Sequence, residues 1–337
     1  MSLRRIPWSW IISIILISLV ITLAYYNRAE LSEAFHLLQT TEPLWIGVAF
    51  IMIVLGFICA GWIYGSVLSI LNHRETMLWL IGTALVGILL NQAVPMGSVA
   101  AYAFLVAALR IRGFPTSSVA VVAGTELLSW NGAALLMFSA GLLYLTLTAD
   151  FTATTPIITA VIVTLCVATF LVVVATRPAE SVARWLHRLR LGLLKIGIEW
   201  DTKSLELLIE EIANSRAIFA AQPSKFGRIV ALQMGIFVFH ALALTALLYG
   251  MRIDAPFLDV LAAYGMSLIV SLFTILPGGG GAVEAALSFS LHLQGVPIHG
   301  ALGAAILFRL LSFWMMLPLG AVFYRLLTKP KAAEELK

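Results

Sequence analysis

Two oppositely charged residues, Glu284 and Arg309, lie within apolar stretches near the C-terminal end of the chain. A guanidinium can bind a phosphate through two parallel hydrogen bonds, and a buried carboxylate can hold that guanidinium, contact a cationic group or carry a proton. Charges in apolar surroundings are costly, so these two residues form a functional-site hypothesis by default. The alternative is purely structural, because the two side chains could simply pair and fix one helix against the next.

A break in the apolar sequence precedes Glu284, at Pro277 and the four glycines that follow it. A helix that begins at Gly280 or Gly281 would present unpaired N–H groups and a partial positive charge to an anion. Glycines also let a ligand approach the backbone closely. The sequence therefore predicts a phosphate-binding site, and its members are Pro277, Gly278, Gly279, Gly280, Gly281, Glu284 and Arg309.

Three further polar residues in apolar segments are weaker candidates for the same site. Glu126 is the counterpart acid in the first half of the chain and is open to any of the roles given for Glu284. Asn91 and Gln92 precede an earlier break, although amides in such segments more often bond neighbouring helices. His240 stands alone in an apolar segment and is expected to bond a neighbouring helix. The histidines show no metal-ligand spacing, and we expect no metal, no cofactor and no catalytic residue.

The composition indicates what surrounds these residues. Hydrophobic residues make up 61% of the 337 residues and charged residues 11%, whereas soluble domains carry about 25% charged residues. We therefore expect an all-α polytopic membrane protein, since each spanning helix needs about 20 apolar residues. The N-terminal apolar run lacks a small-residue cleavage site and is expected to be a retained span. The candidate spans are 8–26, 44–71, 76–94, 116–146, 155–176, 229–251, 256–276 and 298–327.

Two apolar segments, 98–109 and 282–293, are too short to cross a bilayer and predict half-helices of re-entrant hairpins. They resemble copies of one another. Pro95 and Pro115 recur as Pro277 and Pro297, 182 positions later in each case (277 minus 95, 297 minus 115). This spacing predicts two internal repeats, at about 44–146 and 229–327. The other matching pairs are Gly97 with Gly279, Gly113 with Gly295, Ala103 with Ala285, Leu105 with Leu287, Leu109 with Leu291 and Ala123 with Ala305.

The distribution of Lys and Arg predicts the orientation. Basic residues concentrate at the N-terminus, around 74–112, throughout 177–228 and after 325, whereas the other connections are mostly acidic. The positive-inside rule then places both termini in the cytoplasm, and the two hairpins enter from opposite faces as inverted repeats. We expect one transmembrane domain over 1–330 and a short cytoplasmic tail at 331–337. Segment 177–228 predicts amphipathic helices that attract anionic lipids of the inner leaflet.

These motifs also carry a resemblance to a known family. LPGGGGAVEAAL, GVP and LFRLLSFWMMLPLG are similar to the C-terminal signature of the lysylphosphatidylglycerol synthase transmembrane-region family, which are flippase-like membrane proteins. The resemblance extends over about 44–327. The first half departs from the family pattern, because Val99 and Ala100 occupy an acidic region and Leu127 replaces an Arg. The matching positions in the second half are Pro277, Gly278, Gly279, Gly281, Glu284, Gly295, Pro297, Arg309, Trp314, Pro318 and Gly320.

The resemblance implies transport rather than catalysis. The best-known relatives move an aminoacylated phosphatidylglycerol from the inner to the outer leaflet and carry an additional aminoacyl-transferase domain. We expect this chain, in contrast, to be a stand-alone member without that domain. The prediction is a flippase that moves a phospholipid or other phosphate-bearing lipid across the inner (plasma) membrane, with the headgroup between two re-entrant hairpins. The alternatives are a membrane transferase for a lipid-linked substrate, or a non-transporting partner of an envelope biosynthesis complex. No nucleic acid is expected, and homo-oligomerisation stays open.

Overall fold

The computed structural model describes residues 28–71, 73–93, 97–114, 116–148, 223–273 and 281–328, and within these ranges all regular structure is helical. This confirms the all-α prediction. The predicted spans 8–26 and 155–176, most of the predicted amphipathic segment, the C-terminal tail and both hairpin tips (94–96 and 274–280) lie outside the described residues.

The described helices follow the predicted apolar segments closely. Pro43–Ile70, Val121–Leu145, Ser224–Gly250 and Ile298–Leu327 are each long and apolar enough to cross a membrane, so the chain is a multi-pass membrane protein. In chain order the helices are α1 (Arg28–Thr40), α2 (Pro43–Ile70), α3 (Met77–Ala93), α4 (Gly97–Ile111), α5 (Thr116–Thr148), α6 (Pro223–Gly250), α7 (Phe257–Phe273), α8 (Ala282–Leu293), α9 (Ile298–Arg309) and α10 (Leu317–Leu327).

Three features of the helices differ from the sequence-based expectations. Helix α6 begins at Pro223 rather than at residue 229, because its first turns are polar and extend the helix beyond the apolar run. Helix α1 is mostly polar and was not expected; its Leu37 and Leu38 pack against α9 and the turn that follows α9. The predicted span 298–327 is interrupted by a π-helical turn, Leu310–Trp314.

The short helices pair as the predicted hairpins require. Helix α3 packs against α4, and α7 packs against α8. Helices α3 and α7 have 17 residues each and α8 has 12, and a 17-residue helix is only about 25 Å long, less than the roughly 30 Å of a bilayer core. These lengths fit half-helices, and entry and return on one membrane face stays a prediction.

Helix ends recur at or within two residues of the predicted repeat spacing of 182. Pro43 and Ile70 bound α2, and Pro223 and Gly250 bound α6, each 180 positions later (223 minus 43, 250 minus 70). After the hairpin tips the spacing becomes 182, and Gly113 and Gly295 end α4 and α8 with φ of +82° and +89°.

The turns at these two glycines have the same hydrogen bonds. Gly113 N–H donates to the carbonyl of Arg110 (2.9 Å), and the following N–H of Phe114 donates to the carbonyl of Leu109 (3.1 Å). At Gly295 the equivalent bonds are Gly295 N–H to His292 (3.0 Å) and Val296 N–H to Leu291 (3.2 Å). These two hydrogen bonds, around a residue with left-handed backbone, form the Schellman motif. The motif favours glycine because a side chain is strained at positive φ.

Helices α2 and α6 form the most extensive contact between described helices, and they run antiparallel. At one end Glu42 N–H donates to the carbonyl of Gly250 (3.0 Å), and at the other Lys225 Nζ lies 3.5 Å from the carbonyl oxygen of Ser69. Between these ends small residues allow close approach: a Cβ added at Gly56 would lie 3.2 Å from His240 Nε2. The helices at matching positions of the two predicted repeats therefore lie side by side and run in opposite directions.

The hairpins pack across the two halves in matching ways. Helix α3 contacts α10, with Gly82 against Phe323, and α7 contacts α5, with Ala262 against Gly141. These contacts are equivalent, since Gly82 and Ala262 are 180 positions apart and Gly141 and Phe323 are 182 apart (262 minus 82, 323 minus 141). This reciprocal packing, in which the first helix of each hairpin contacts the other half, fits repeats related by a two-fold axis. The inverted orientation of the repeats in the membrane stays a prediction.

The α5–α7 crossing yields a stability prediction. A Cβ at Gly265 would lie 2.6 Å from the carbonyl oxygen of Met137, whereas a Cβ at Gly132 on α5 has nothing within 4 Å. We expect Gly265→Ala to lower the free energy of unfolding by about 1–3 kcal/mol through overpacking. Gly132→Ala, the matched control, should be neutral or stabilise by up to about 1 kcal/mol. Thermal midpoints in detergent, followed by size-exclusion chromatography, measure both, and equal midpoints for the two variants would contradict the close crossing.

Candidate functional site

The N-terminus of α8 is open. Gly281 precedes the helix with φ +83°, and it is exposed. A Cβ at this position would meet no atom within 4 Å, so the positive φ and not a lack of space favours glycine here. The helix begins at Ala282, which agrees with the predicted start at Gly280 or Gly281. Its first turn carries Glu284, so a carboxylate lies beside the positive end of the helix dipole.

Arg309 is the last residue of α9, and its Nη1 donates a hydrogen bond to Glu284 Oε1. The side chains are 11% and 17% exposed, so this ion pair is largely buried. The other carboxylate oxygen, Glu284 Oε2, is also buried and has no hydrogen-bond partner among the described residues. The sequence predicted that these two residues act together, and the structure brings them into direct contact. The contact itself is compatible with both the binding role and the structural role.

A π-helical turn, Leu310–Trp314, begins immediately after Arg309. In it Met315 N–H donates to the carbonyl of Leu310 (2.9 Å), five residues earlier. The cause lies in the following turn, where Pro318 has no N–H to bond the carbonyl four residues earlier and its ring would clash there. Leu136 stands 182 positions before Pro318, and in that half α5 continues as an unbroken α-helix. π-turns often occur at functional sites, and this one adjoins the predicted ligand-binding Arg.

Glu126 has a different partner. Its Oε2 accepts a hydrogen bond from the hydroxyl of Tyr64 on α2. Tyr64 is 5% exposed, and a Cβ at Gly87 of α3 would lie 3.6 Å from its hydroxyl oxygen. The hydroxyl of the neighbouring Thr125 is buried without a hydrogen-bond partner in the described part of the chain. No hydrogen bond or ion pair between described residues joins Glu126 to Glu284 or Arg309, so Glu126 with Tyr64 and Glu284 with Arg309 form two separate pairs.

Aromatic rings connect the two polar pairs. Trp130 lies one helical turn after Glu126, and its ring centroid is 4.9 Å from that of Phe237 on α6. Phe237 contacts Tyr264 of α7, with 6.2 Å between centroids. Phe308 lies 5.4 Å from the ring of His240 and precedes Arg309 in the chain. We call this set, Trp130, Phe237, His240, Tyr264 and Phe308, the aromatic row.

His240 bonds within this row, since its Nδ1 lies 2.8 Å from the hydroxyl of Tyr264. The prediction that His240 bonds a neighbouring helix is confirmed. Sequence reasoning missed Tyr64 and Tyr264 as polar partners. The signal that could have found them is a tyrosine well inside an apolar span, whose hydroxyl requires a buried partner.

The remaining predicted site residues lie apart or outside the described ranges. Asn91 and Gln92 are exposed near the end of α3, and no contact joins them to either polar pair within the described residues. Pro277, Gly278, Gly279 and Gly280 lie outside the described residues, so their role in phosphate binding stays a prediction.

The buried pair yields a prediction on stability. Glu284→Leu or Arg309→Met alone should cost about 3–5 kcal/mol, because each leaves its partner charged and buried. The double change Glu284→Leu with Arg309→Met should recover most of this loss, since a buried pair can often be replaced by apolar residues. Thermal midpoints in detergent test this double-mutant cycle.

The control is the exposed ion pair between Arg252 and Glu42, whose side chains are 83% and 48% exposed. Arg252→Gln should cost less than about 1 kcal/mol. Losses at Glu284 and Arg309 that simply add would contradict the direct coupling.

Comparisons with known proteins agree with this architecture. The chain is 28% identical over 100 residues to a UPF0104 membrane protein of Methanothermobacter thermautotrophicus, and this match covers 30% of each chain. The chain thus matches less than a third of that relative's length. A family profile described as the lysylphosphatidylglycerol synthase TM region matches residues 10–320, which include every helix described above except the end of α10. The protein therefore belongs to the family of the lysylphosphatidylglycerol synthase transmembrane region.

Proposed function

We propose that this protein moves a phospholipid, or another phosphate-bearing lipid, between the leaflets of the inner membrane. The observation that carries the proposal is the buried Arg309–Glu284 pair beside the open N-terminus of α8. Membership of a flippase-like family agrees with it. The proposed reaction is relocation of an intact lipid, so no bond of the lipid is made or broken.

The pair provides a way to bind and release an anion. Arg309 is held by Glu284 when no lipid is present, and an incoming phosphate can take the place of the carboxylate because both accept two parallel hydrogen bonds from a guanidinium. Unpaired N–H groups at the start of α8 add donors for the same phosphate. The exchange keeps Arg309 compensated throughout, which limits the cost of moving the headgroup through an apolar region.

The outer faces of α8 and α9 are suited to lipid chains. Phe289 is 60% exposed, Leu293 49% and Leu302 42%, so apolar side chains face outward beside the polar pair. The acyl chains can then stay in the bilayer while the headgroup moves along the protein. The two hairpins pack across the halves in equivalent ways, and this provides two related arrangements, one for each leaflet.

The proposal extends to orientation and surroundings. Both termini lie in the cytoplasm, and the basic segment 177–228 attracts anionic lipids of the inner leaflet, as the distribution of Lys and Arg predicts. Such attraction would enrich anionic headgroups near the cytoplasmic entrance.

Lipid movement can be measured in liposomes that contain the purified full-length chain and a trace of phospholipid with a fluorescent acyl chain and a phosphate headgroup. We expect wild type to speed its exchange between leaflets at least tenfold over protein-free liposomes. Arg309→Lys keeps the positive charge but loses the planar guanidinium with its two parallel N–H donors. We therefore expect it to lower the rate of lipid exchange tenfold or more. Glu284→Gln should also slow exchange, because Arg309 is then not held between cycles.

A charge-reversed protein, Glu284→Arg with Arg309→Glu, separates binding from folding. A merely structural pair predicts that the reversal restores both thermal stability and lipid movement. The proposed function predicts restored stability without lipid movement, because the carboxylate now stands where the phosphate must bind. Arg252→Gln, at an exposed pair, is the control and should match wild type. Wild-type lipid exchange by folded Arg309→Lys protein would contradict the assignment of Arg309 to the phosphate-binding site.

A further inference from the structure

We propose that Glu126 and Tyr64 form a proton-binding site that couples lipid movement to a proton gradient. This inference rests on the proposed function, and it assigns Glu126 a task other than contact with the headgroup. The two residues belong to helices long and apolar enough to span the membrane, Val121–Leu145 and Pro43–Ile70. The site would bind a proton on the carboxylate of Glu126.

The contacts of Glu126 differ from those of Glu284 in the feature that decides charge. Glu284 has a guanidinium against one of its oxygens. The carboxylate of Glu126 has only the neutral hydroxyl of Tyr64 as a hydrogen-bond partner within the described residues, and no Lys, Arg or His of those residues forms an ion pair with it. An ionised carboxylate without a counter-charge in a membrane span costs several kcal/mol. Under this proposal, the carboxylate of Glu126 carries the proton in this conformation.

The groups around Glu126 support the same assignment. Helix α5 packs against α2, α4, α6 and α7. The basic residues on α4 and α6 lie in the last turn of α4 and in the first turns of α6. Asp259 accepts a hydrogen bond from Tyr144, and His240 shares a hydrogen bond with Tyr264. Within the described residues, no group on these helices apart from Tyr64 hydrogen-bonds or ion-pairs with the side chain of Glu126. Apart from Glu126 itself, the titratable or charged groups on these five helices are Cys59, Tyr64, Tyr102, Arg110, Tyr144, Lys225, Arg228, His240, Tyr249, Asp259 and Tyr264.

Tyr64 can keep its hydrogen bond to Glu126 in both protonation states of the carboxyl group. Its hydroxyl can donate to an ionised carboxylate, or to the carbonyl oxygen of the protonated acid, so the hydrogen bond survives loss of the proton. The cycle is balanced: one proton binds Glu126 from water on one side, and the same proton is released to water on the other side after the conformational change. No other reactant is needed.

The position of Glu126 links it mechanically to the lipid site. Glu126 stands 182 positions before Phe308 (308 minus 126), which directly precedes Arg309. The aromatic row forms a continuous series of ring contacts from Trp130, one turn after Glu126, to Phe308. A shift of α5 when Glu126 gains or loses its proton would thus be transmitted through packed rings to the helix that holds Arg309.

The first test measures the proton without lipid transport. Infrared difference spectra of the full-length protein in liposomes between acidic and alkaline pH detect the carbonyl stretch of a protonated carboxylic acid. We expect one apolar-environment band that is lost in Glu126→Gln and kept in Glu42→Gln, an exposed carboxylate. Equal spectra for wild type and Glu126→Gln would overturn the proton-binding site, whatever the protein transports.

The second test measures coupling, with fluorescent phospholipid in liposomes that carry a pH gradient. We expect the gradient to change the wild-type rate at least fivefold and to have no effect on the rate of Glu126→Gln, whose side chain cannot bind or release a proton. Tyr64→Phe keeps the carboxylate and should shift the pH at which the response is half-maximal, whereas Tyr249→Phe should not. If Glu126→Gln is not recovered folded, Tyr64→Phe carries the test.

The outcomes separate the two proposals. Lipid exchange by wild type that ignores the gradient overturns coupling and leaves the proposed function intact. A gradient response that persists in Glu126→Gln assigns the proton to another group and overturns the role of Glu126. No lipid exchange by wild type under any gradient overturns the proposed function and the coupling together, even if the infrared band marks a protonated Glu126.

Discussion

The close antiparallel contact of α2 with α6 is the constraint on which the rest of the structure depends. It brings equivalent helices of the two halves into one central layer, tied at one end by Glu42 and Gly250 and at the other by Ser69 and Lys225. Each hairpin begins where one of these helices ends, and its first helix then packs against the last helix of the opposite half. A change in how α2 crosses α6 would therefore move both hairpins.

The same frame holds different chemistry in its two halves. The second half has a buried ion pair, an open helix N-terminus and a π-turn. The first half has a carboxylate bonded to a tyrosine and an uninterrupted helix. Tyr102 stands where the second half has Glu284, and Leu127 where it has Arg309. In the two proposals above, the second half binds the lipid and the first half binds the proton.

Much of the fold could be predicted from apolar run length and from prolines and glycines at matched spacing, because these fix where helices start and stop in a bilayer. The Glu284–Arg309 contact was also predictable, since two opposite charges in neighbouring apolar helices must compensate each other. The π-turn was not, because the apolar run continues through Leu310–Trp314 and the effect of Pro318 depends on local backbone geometry. The partner of Glu126 was missed because Tyr64 is far away in the sequence, and only packing brings the two together.

The change of repeat spacing from 180 to 182 has a consequence for how the two halves diverged. It falls between Ala93 and Pro95 in the first half, which correspond to Phe273 and Pro277 in the second, so the second half has two more residues there. Two residues added inside a helix would rotate everything beyond them by about 200° and turn buried faces outward. Added where one helix has ended and the next has not begun, they leave both faces in place. Insertions and deletions at the predicted hairpin tips would therefore leave the described helices packed as they are, and related chains are expected to differ in length there.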